Sequence, residues 1–159
     1  MVRSIAIALF AWTSLTATQA QEMLEWKVFH PIKKTWLELG TKGTVQEALI
    51  ASGELPDPFV GENENKFTWI ENHDWIFESS FTLNEADFLR AIDLDFPSID
   101  TYASIFLNGK KIGETDNAFV HWYFDIRAAA KTGVNTLKLV FRSPVNYQKE
   151  HKKKVGVVS

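Results

Sequence analysis

Residues 75–83 read Trp-Ile-Phe-Glu-Ser-Ser-Phe-Thr-Leu. Trp75, Phe77, Phe81 and Leu83 fall on one face and Glu78, Ser80 and Thr82 on the other. This period of two is the pattern of an antiparallel strand with one face in a core and the other in water. Downstream, Asn84 is placed to cap a single helical turn ending near Leu89. Ile92, Leu94 and Phe96 then alternate with Asp93 and Asp95 along a second strand. Residues 101–107 run into Asn108-Gly109 and on into residues 110–114. Asn-Gly between two alternating runs predicts a type I′ hairpin turn, because both central residues need positive φ. Further strands are expected over 119–126 and 136–142, with a helical turn over 127–131 stopped by Gly133. Upstream, 25–30 (EWKVFH) is a short strand, with Trp26 and Val28 on one face. Residues 45–52 form a helix burying Val45, Ala48 and Leu49, with Gly53 as its stop. The prolines and glycine of 55–66 (LPDPFVGENENK) predict an irregular loop. Trp36 is left unassigned. Five or six short strands with polar turns and little helix make this an all-β chain, an antiparallel β-sandwich of jelly-roll type. The spacing alone does not separate that from an immunoglobulin-like sandwich, although the Cys–Trp–Cys signature of the latter is absent.

At 159 residues the chain has room for one domain. Seventeen Lys and Arg against twenty Asp and Glu give a formal charge of -3, which argues against nucleic-acid binding, a function that needs concentrated basic charge. Apolar residues make up 45% of the chain and aromatics 13%, enough to build a core and to argue against disorder. There is no cysteine, so disulfides, thiolate metal sites and Cys nucleophiles are excluded. At the N-terminus, Arg3 precedes an apolar run over 5–12 and a small, polar stretch over 14–20, with Thr18 and Ala20 at positions −3 and −1 of a cut before Gln21. Residues 1–20 are therefore expected to be a secretory signal peptide and the protein to be periplasmic or secreted. No other segment approaches the roughly 18 apolar residues of a membrane span. The β-sandwich domain is expected over 21–148, and 149–159, opening with the basic run KEHKKK, as a solvated tail or a truncated continuation.

No motif carries self-contained catalysis. There is no G-x-S-x-G elbow, P-loop or H-E-x-x-H, and His30, His73, His121 and His151 are scattered, which reads as strand-face or loop histidines. Glycosidase chemistry needs two carboxylates at a defined separation, and no pair in the sequence is marked out for it. The oxygen-rich GENEN stretch at 61–65 lacks the spacing of a calcium loop. No metal or cofactor is expected. Trp75 and Trp122 continue core-facing alternations, whereas Trp69 follows the irregular loop and is the better candidate for a ring that meets a sugar face.

The run Gly53-Glu54-Leu55-Pro56-Asp57-Pro58-Phe59, then Gly61, Asn63-Glu64, Trp69 and Trp75, resembles the opening domain of β-mannosidases of glycoside hydrolase family 2. Asp100-Thr101-Tyr102-Ala103, Leu107-Asn108-Gly109, Asp116-Asn117 with Phe119, and Gly133-x-Asn135-x-Leu137 extend the likeness from about Gly43 to Asn146. The resemblance implies a galactose-binding-like jelly roll that packs beside a downstream (β/α)8 barrel, which holds both catalytic glutamates, and that helps to wall a pocket for a β-mannoside-type carbohydrate. It also implies that the domain continues past Ser159 with further strands, one of them in a tryptophan-rich stretch, so that the sandwich here is incomplete at its C-terminus. The family's usual Val-Pro-Gly-Thr-Val-His stands here as Thr41-Lys42-Gly43-Thr44-Val45-Gln46, without the Pro and the His. Carried onto this chain, the loop residues Asp57, Asn63, Glu64 and Trp69 are the candidate substrate-binding residues, and no residue is expected to be catalytic. Two other functions fit the same fold, a stand-alone carbohydrate-binding module and a protein-interaction sandwich.

Overall fold

The computed structural model describes residues 8–9, 24–40, 43–56, 60, 63–89 and 91–155. Its main layer is a six-stranded antiparallel sheet. In chain order the strands are β1 (Ala8–Leu9), β2 (Trp26–Phe29), β3 (Trp36–Gly40), β4 (Gly43–Thr44), β5 (Trp75–Leu83), β6 (Asp93–Phe96), β7 (Ala103–Leu107), β8 (Lys110–Thr115), β9 (Trp122–Asp125) and β10 (Gly133–Phe141). The large sheet has the order β3-β2-β5-β10-β7-β8; β6 and β9 pair as a second layer, and β1 pairs with β4. The chain is an antiparallel, jelly-roll-type sandwich, as the alternation predicts. Apart from Ala8–Leu9, residues 1–20 lie outside the described residues, as does the expected cut after Ala20.

The centre of the sheet is the ladder between β5 and β10, in register from Gly133 opposite Leu83 to Phe141 opposite Trp75. Trp75, Phe77, Phe81 and Leu83 are buried, and so are Leu137, Leu139 and Phe141 across the ladder. Phe77 and Phe141 meet edge to face at 5.1 Å. One polar residue shares this inner face of β5: Ser79 is buried and its hydroxyl donates to the Glu25 carbonyl at 2.5 Å.

The Asn-Gly hairpin forms as expected, with φ of 51° at Asn108 and 82° at Gly109 between β7 and β8. Across the core, β6 contributes Leu94 and Phe96, and β9 packs Trp122 and Phe124 against the same cluster. The two layers approach closely at Gly113 of β8, where an added Cβ would stand 2.1 Å from Cε1 of Phe124. Gly113→Ala is therefore expected to force the two layers apart, lowering stability by about 1–3 kcal/mol as an overpacked site. Phe124→Leu in the same chain should recover part of the loss, since the two changes share one contact. Urea midpoints of the single and double variants check this; equal midpoints for wild type and Gly113→Ala would show that the ring yields freely.

Two helices flank the sheet. In α1 (Val45–Ala51), the Thr44 hydroxyl accepts from the Glu47 N–H and the Glu47 carboxylate accepts from the Thr44 N–H, a reciprocal cap that satisfies two otherwise orphaned donors. The second, α2 (Pro144–Val155), includes the first part of the stretch that begins at Lys149 with the basic run. The buried Ser143 is its cap: the hydroxyl accepts from the Asn146 N–H and donates to the Glu71 carbonyl. Pro144 follows at the first helical position, where its missing N–H costs nothing. The strand expected over 119–126 is also shorter. Phe119 is 99% exposed, because Asn117 turns the chain, its side chain accepting from the Phe119 N–H while its carbonyl accepts from the Trp122 indole.

Candidate functional site

The candidate loop, residues 55–69, leaves the end of α1 and returns to the sheet at β5. Asp57 lies outside the described residues. Asn63 and Glu64 open a 310 turn, Asn63–Phe67, and the Asn63 N–H donates to the Val60 carbonyl at 3.4 Å. The Thr68 hydroxyl donates to the Asn65 carbonyl, and the Asn72 amide to the Thr68 carbonyl. This local bonding orders the returning half of the loop. Leu55 is buried at its start and Ile70 just beyond its end.

Trp69 is half-buried and packs on the core. Its indole stacks on the His30 imidazole at 5.4 Å with the planes 22° apart, lies tilted to Trp75 at 5.8 Å, and meets the edge of His73 at 5.7 Å. Trp75 is fully buried and its indole N–H donates to the Ile70 carbonyl at 2.9 Å. The structure thus brings Trp69 together with two histidines and a core tryptophan, with Asn63 and Glu64 a turn away along the chain.

His30 is the residue that sequence reasoning missed. It directly follows β2, is only 2% exposed, and its ring is bonded on both edges. Nδ1 lies 3.2 Å from the Ile32 N–H nitrogen and 3.3 Å from that of Lys33, while Nε2 lies 2.8 Å from Oε2 of Glu54. Two backbone donors require a lone pair on Nδ1, so Nε2 carries the hydrogen and donates to Glu54. The other oxygen of Glu54 is 3.0 Å from the Lys33 ammonium. A His-Pro pair between a strand and a turn was the available signal, but its partner at Glu54 is 24 residues away.

Two further surfaces carry aromatic and charged groups. Trp36 of β3 is exposed, set edge-on to Phe29 at 5.1 Å, with the Lys27 ammonium 4.6 Å over its ring and paired to Glu78 at 2.8 Å. That ammonium occupies one face of the indole. On the outer side of the β6–β9 layer, His121 bonds Asp95 and stacks on the exposed Tyr123 at 4.4 Å. Among the described residues, no three His, Asp or Glu side chains converge in a way that could hold a metal ion.

The family model described as glycosyl hydrolase 2 galactose-binding domain-like matches residues 17–159. Among curated relatives, β-mannosidase of Mus musculus is 35% identical over 124 residues, covering 77% of this chain and 14% of that protein. β-Mannosidase B of Emericella nidulans is 34% identical over 108 residues, covering 67% of this chain and 13% of the relative. The chain therefore spans about one-seventh of the length of such relatives. Among solved structures, the β-D-mannosidase from Dictyoglomus thermophilum superimposes with a TM-score of 0.73 at 39% identity, over 82% of this chain and 16% of that one. An exo-chitosanase from Amycolatopsis orientalis shares the fold, with a TM-score of 0.66 at 19% identity over 75% of this chain and 16% of that chain. The matched span, the strand order and the β-mannosidase likeness agree: the chain belongs to the glycosyl hydrolase 2 galactose-binding-like domain family and is an N-terminal domain of the β-mannosidase-like type.

Proposed function

We propose that this domain serves, without catalysing anything itself, in an exported β-mannosidase-like hydrolase, where the loop over residues 55–69 helps to wall the pocket for a terminal β-mannosyl residue. The observation that carries the reading is the 39% identity to a β-D-mannosidase over 82% of the chain. In this reading the partner is a (β/α)8 barrel, which supplies the carboxylate pair that retaining hydrolysis requires. The domain contributes shape: a loop whose Trp69 ring is held by the core, with Asp57, Asn63 and Glu64 as polar groups for sugar hydroxyls. Export rests on the N-terminal sequence alone.

The test uses the full-length hydrolase carrying this domain, assayed with nitrophenyl β-mannoside, β-glucuronide and β-galactoside. Preference for the mannoside is expected, and no turnover by residues 21–159 alone. Alanine at Asp57, Asn63, Glu64 or Trp69 should cost about 1–3 kcal/mol of transition-state binding where a side chain meets the sugar, roughly 5- to 150-fold in kcat/KM. Unchanged kinetics in all four variants would reduce the loop to a fold-holding role. Tight mannoside binding by the isolated domain would instead favour a stand-alone module. N-terminal sequencing of the exported product should begin at Gln21.

A further inference from the structure

We infer that His30 and Glu54 are positioning residues: a part-buried hydrogen-bonded pair that holds the Trp69 ring in place and fastens the two ends of the 55–69 loop to each other. For its functional half this rests on the pocket-wall reading above; its structural half stands without it.

The geometry makes one imidazole the junction of three segments. Glu54 immediately precedes the loop, and it is itself anchored, its N–H donating to the Leu49 carbonyl at 2.9 Å as α1 ends. Trp69 closes the loop and stacks on the imidazole. His30 is held by its own hairpin, where its N–H donates to the Thr35 carbonyl and its carbonyl accepts from Lys34. With both ring nitrogens engaged, the imidazole plane has no rotational freedom, and a ring stacked on it inherits that orientation. The charged and titratable groups facing the pair are Lys33 on Glu54 and His73 across Trp69.

Stability alone does not call for such an arrangement. A buried polar pair is no better for stability than apolar residues of the same shape, and often worse. What an apolar pair lacks is direction: a hydrogen bond specifies one ring orientation where packing tolerates several. A tryptophan meant to meet a sugar face needs that orientation set before the sugar arrives.

The experiment compares Glu54→Leu, Glu54→Gln and Trp69→Phe in the 159-residue chain. The tilted Trp69–Trp75 pair, 5.8 Å apart, should give an exciton couplet in far-ultraviolet circular dichroism, which Trp69→Phe identifies by abolishing it. Glu54→Gln keeps an acceptor for Nε2–H and should keep the couplet. Glu54→Leu should lose it, with amide exchange over residues 63–68 faster by roughly tenfold or more while the β5–β10 ladder stays protected. A wild-type couplet and exchange pattern in Glu54→Leu would overturn the inference, as would equal damage from Gln and Leu. If Glu54→Leu does not fold, Glu54→Asp decides: one methylene shorter, it withdraws the acceptor, and an undiminished couplet would overturn the inference. In the full-length hydrolase, Glu54→Leu should raise KM roughly tenfold with kcat within about twofold, and add nothing to Trp69→Ala. If Trp69→Ala is kinetically silent while the couplet behaves as expected, the pocket-wall reading fails and the positioning pair stands.

Discussion

Asn135→Leu is expected to be among the most damaging single changes in this domain, lowering stability by about 3 kcal/mol or more. Asn135 is fully buried at the start of β10 and uses both ends of its amide. Oδ1 accepts from the Lys131 N–H at 2.9 Å and from Nδ2 of Asn108 at 2.8 Å; Nδ2 donates to the carbonyls of Lys131 at 2.7 Å and Gly133 at 3.0 Å. Leucine branches at the same carbon but is bulkier and can neither accept nor donate, so the Lys131 N–H and the Lys131 and Gly133 carbonyls lose their partner, while the Asn108 amide keeps the Ala129 carbonyl. Each buried group left unpaired costs roughly 1–3 kcal/mol, against a total stability of about 5–15 kcal/mol for a domain. Asn135→Asp separates hydrogen bonding from shape. It keeps the acceptor side but sets a carboxylate against two carbonyls, so its folded-state pKa should lie above the ordinary value of about 4. The folded state then binds more protons than the unfolded, and stability falls as pH rises through that window. Urea midpoints at pH 7 and near pH 4 check this: the deficit of Asn135→Asp should shrink on acidification, and that of Asn135→Leu should not.

This residue also shows where reading the sequence stops. Gly133-x-Asn135-x-Leu137 is legible as a turn feeding a strand, because the next inward residues keep the period of two. The coupling of Asn135 to the Asn108 hairpin, 27 residues earlier, is a tertiary event with no local signature. The same division runs through the rest of the fold. β5, β6, β7 and β10 declare themselves because one face meets the core and the other is more exposed, and β8 because it follows the Asn-Gly turn. β3 did not, although Leu37 and Leu39 do alternate inward, because its first residue, Trp36, points away from the core and breaks the pattern that an apolar count expects. α2 was obscured by its lysines, yet Ser143-Pro144 followed by Asn146 was a readable helix start.

The candidate site divides likewise. Prolines and glycine mark 55–66 as a loop, and a tryptophan just beyond it stands out. Nothing in the sequence brings His30 beneath that tryptophan or sets Glu54 against His30, since those contacts exist only once β2, the end of α1 and the start of β5 converge.

Trp75 is where the core and that site are the same object, and Trp75→Ala should cost about 3–5 kcal/mol. The ring is fully buried, lies opposite Phe141 at the end of the central ladder, and touches both His30 at 5.8 Å and Trp69 at 5.8 Å. Truncation removes core volume and the floor on which the His30–Trp69 stack rests, so the Trp69–Trp75 couplet should vanish and the urea midpoint should fall by about 1–3 M. Trp75→Phe distinguishes the two roles. It retains most of the buried apolar surface but lacks the N–H that bonds the Ile70 carbonyl at 2.9 Å, leaving that carbonyl with the longer 3.4 Å bond from the His73 N–H. Its expected loss is about 1–2 kcal/mol, accompanied by faster amide exchange over 63–72 and little change along β5 and β10. Equal exchange in Trp75→Phe and wild type would mean that the loop's return is held by packing alone. Faster exchange confined to that segment would mean that one indole hydrogen bond joins the longest ladder of the sheet to the segment bearing Trp69, so that the rigidity of the candidate site is drawn directly from the core.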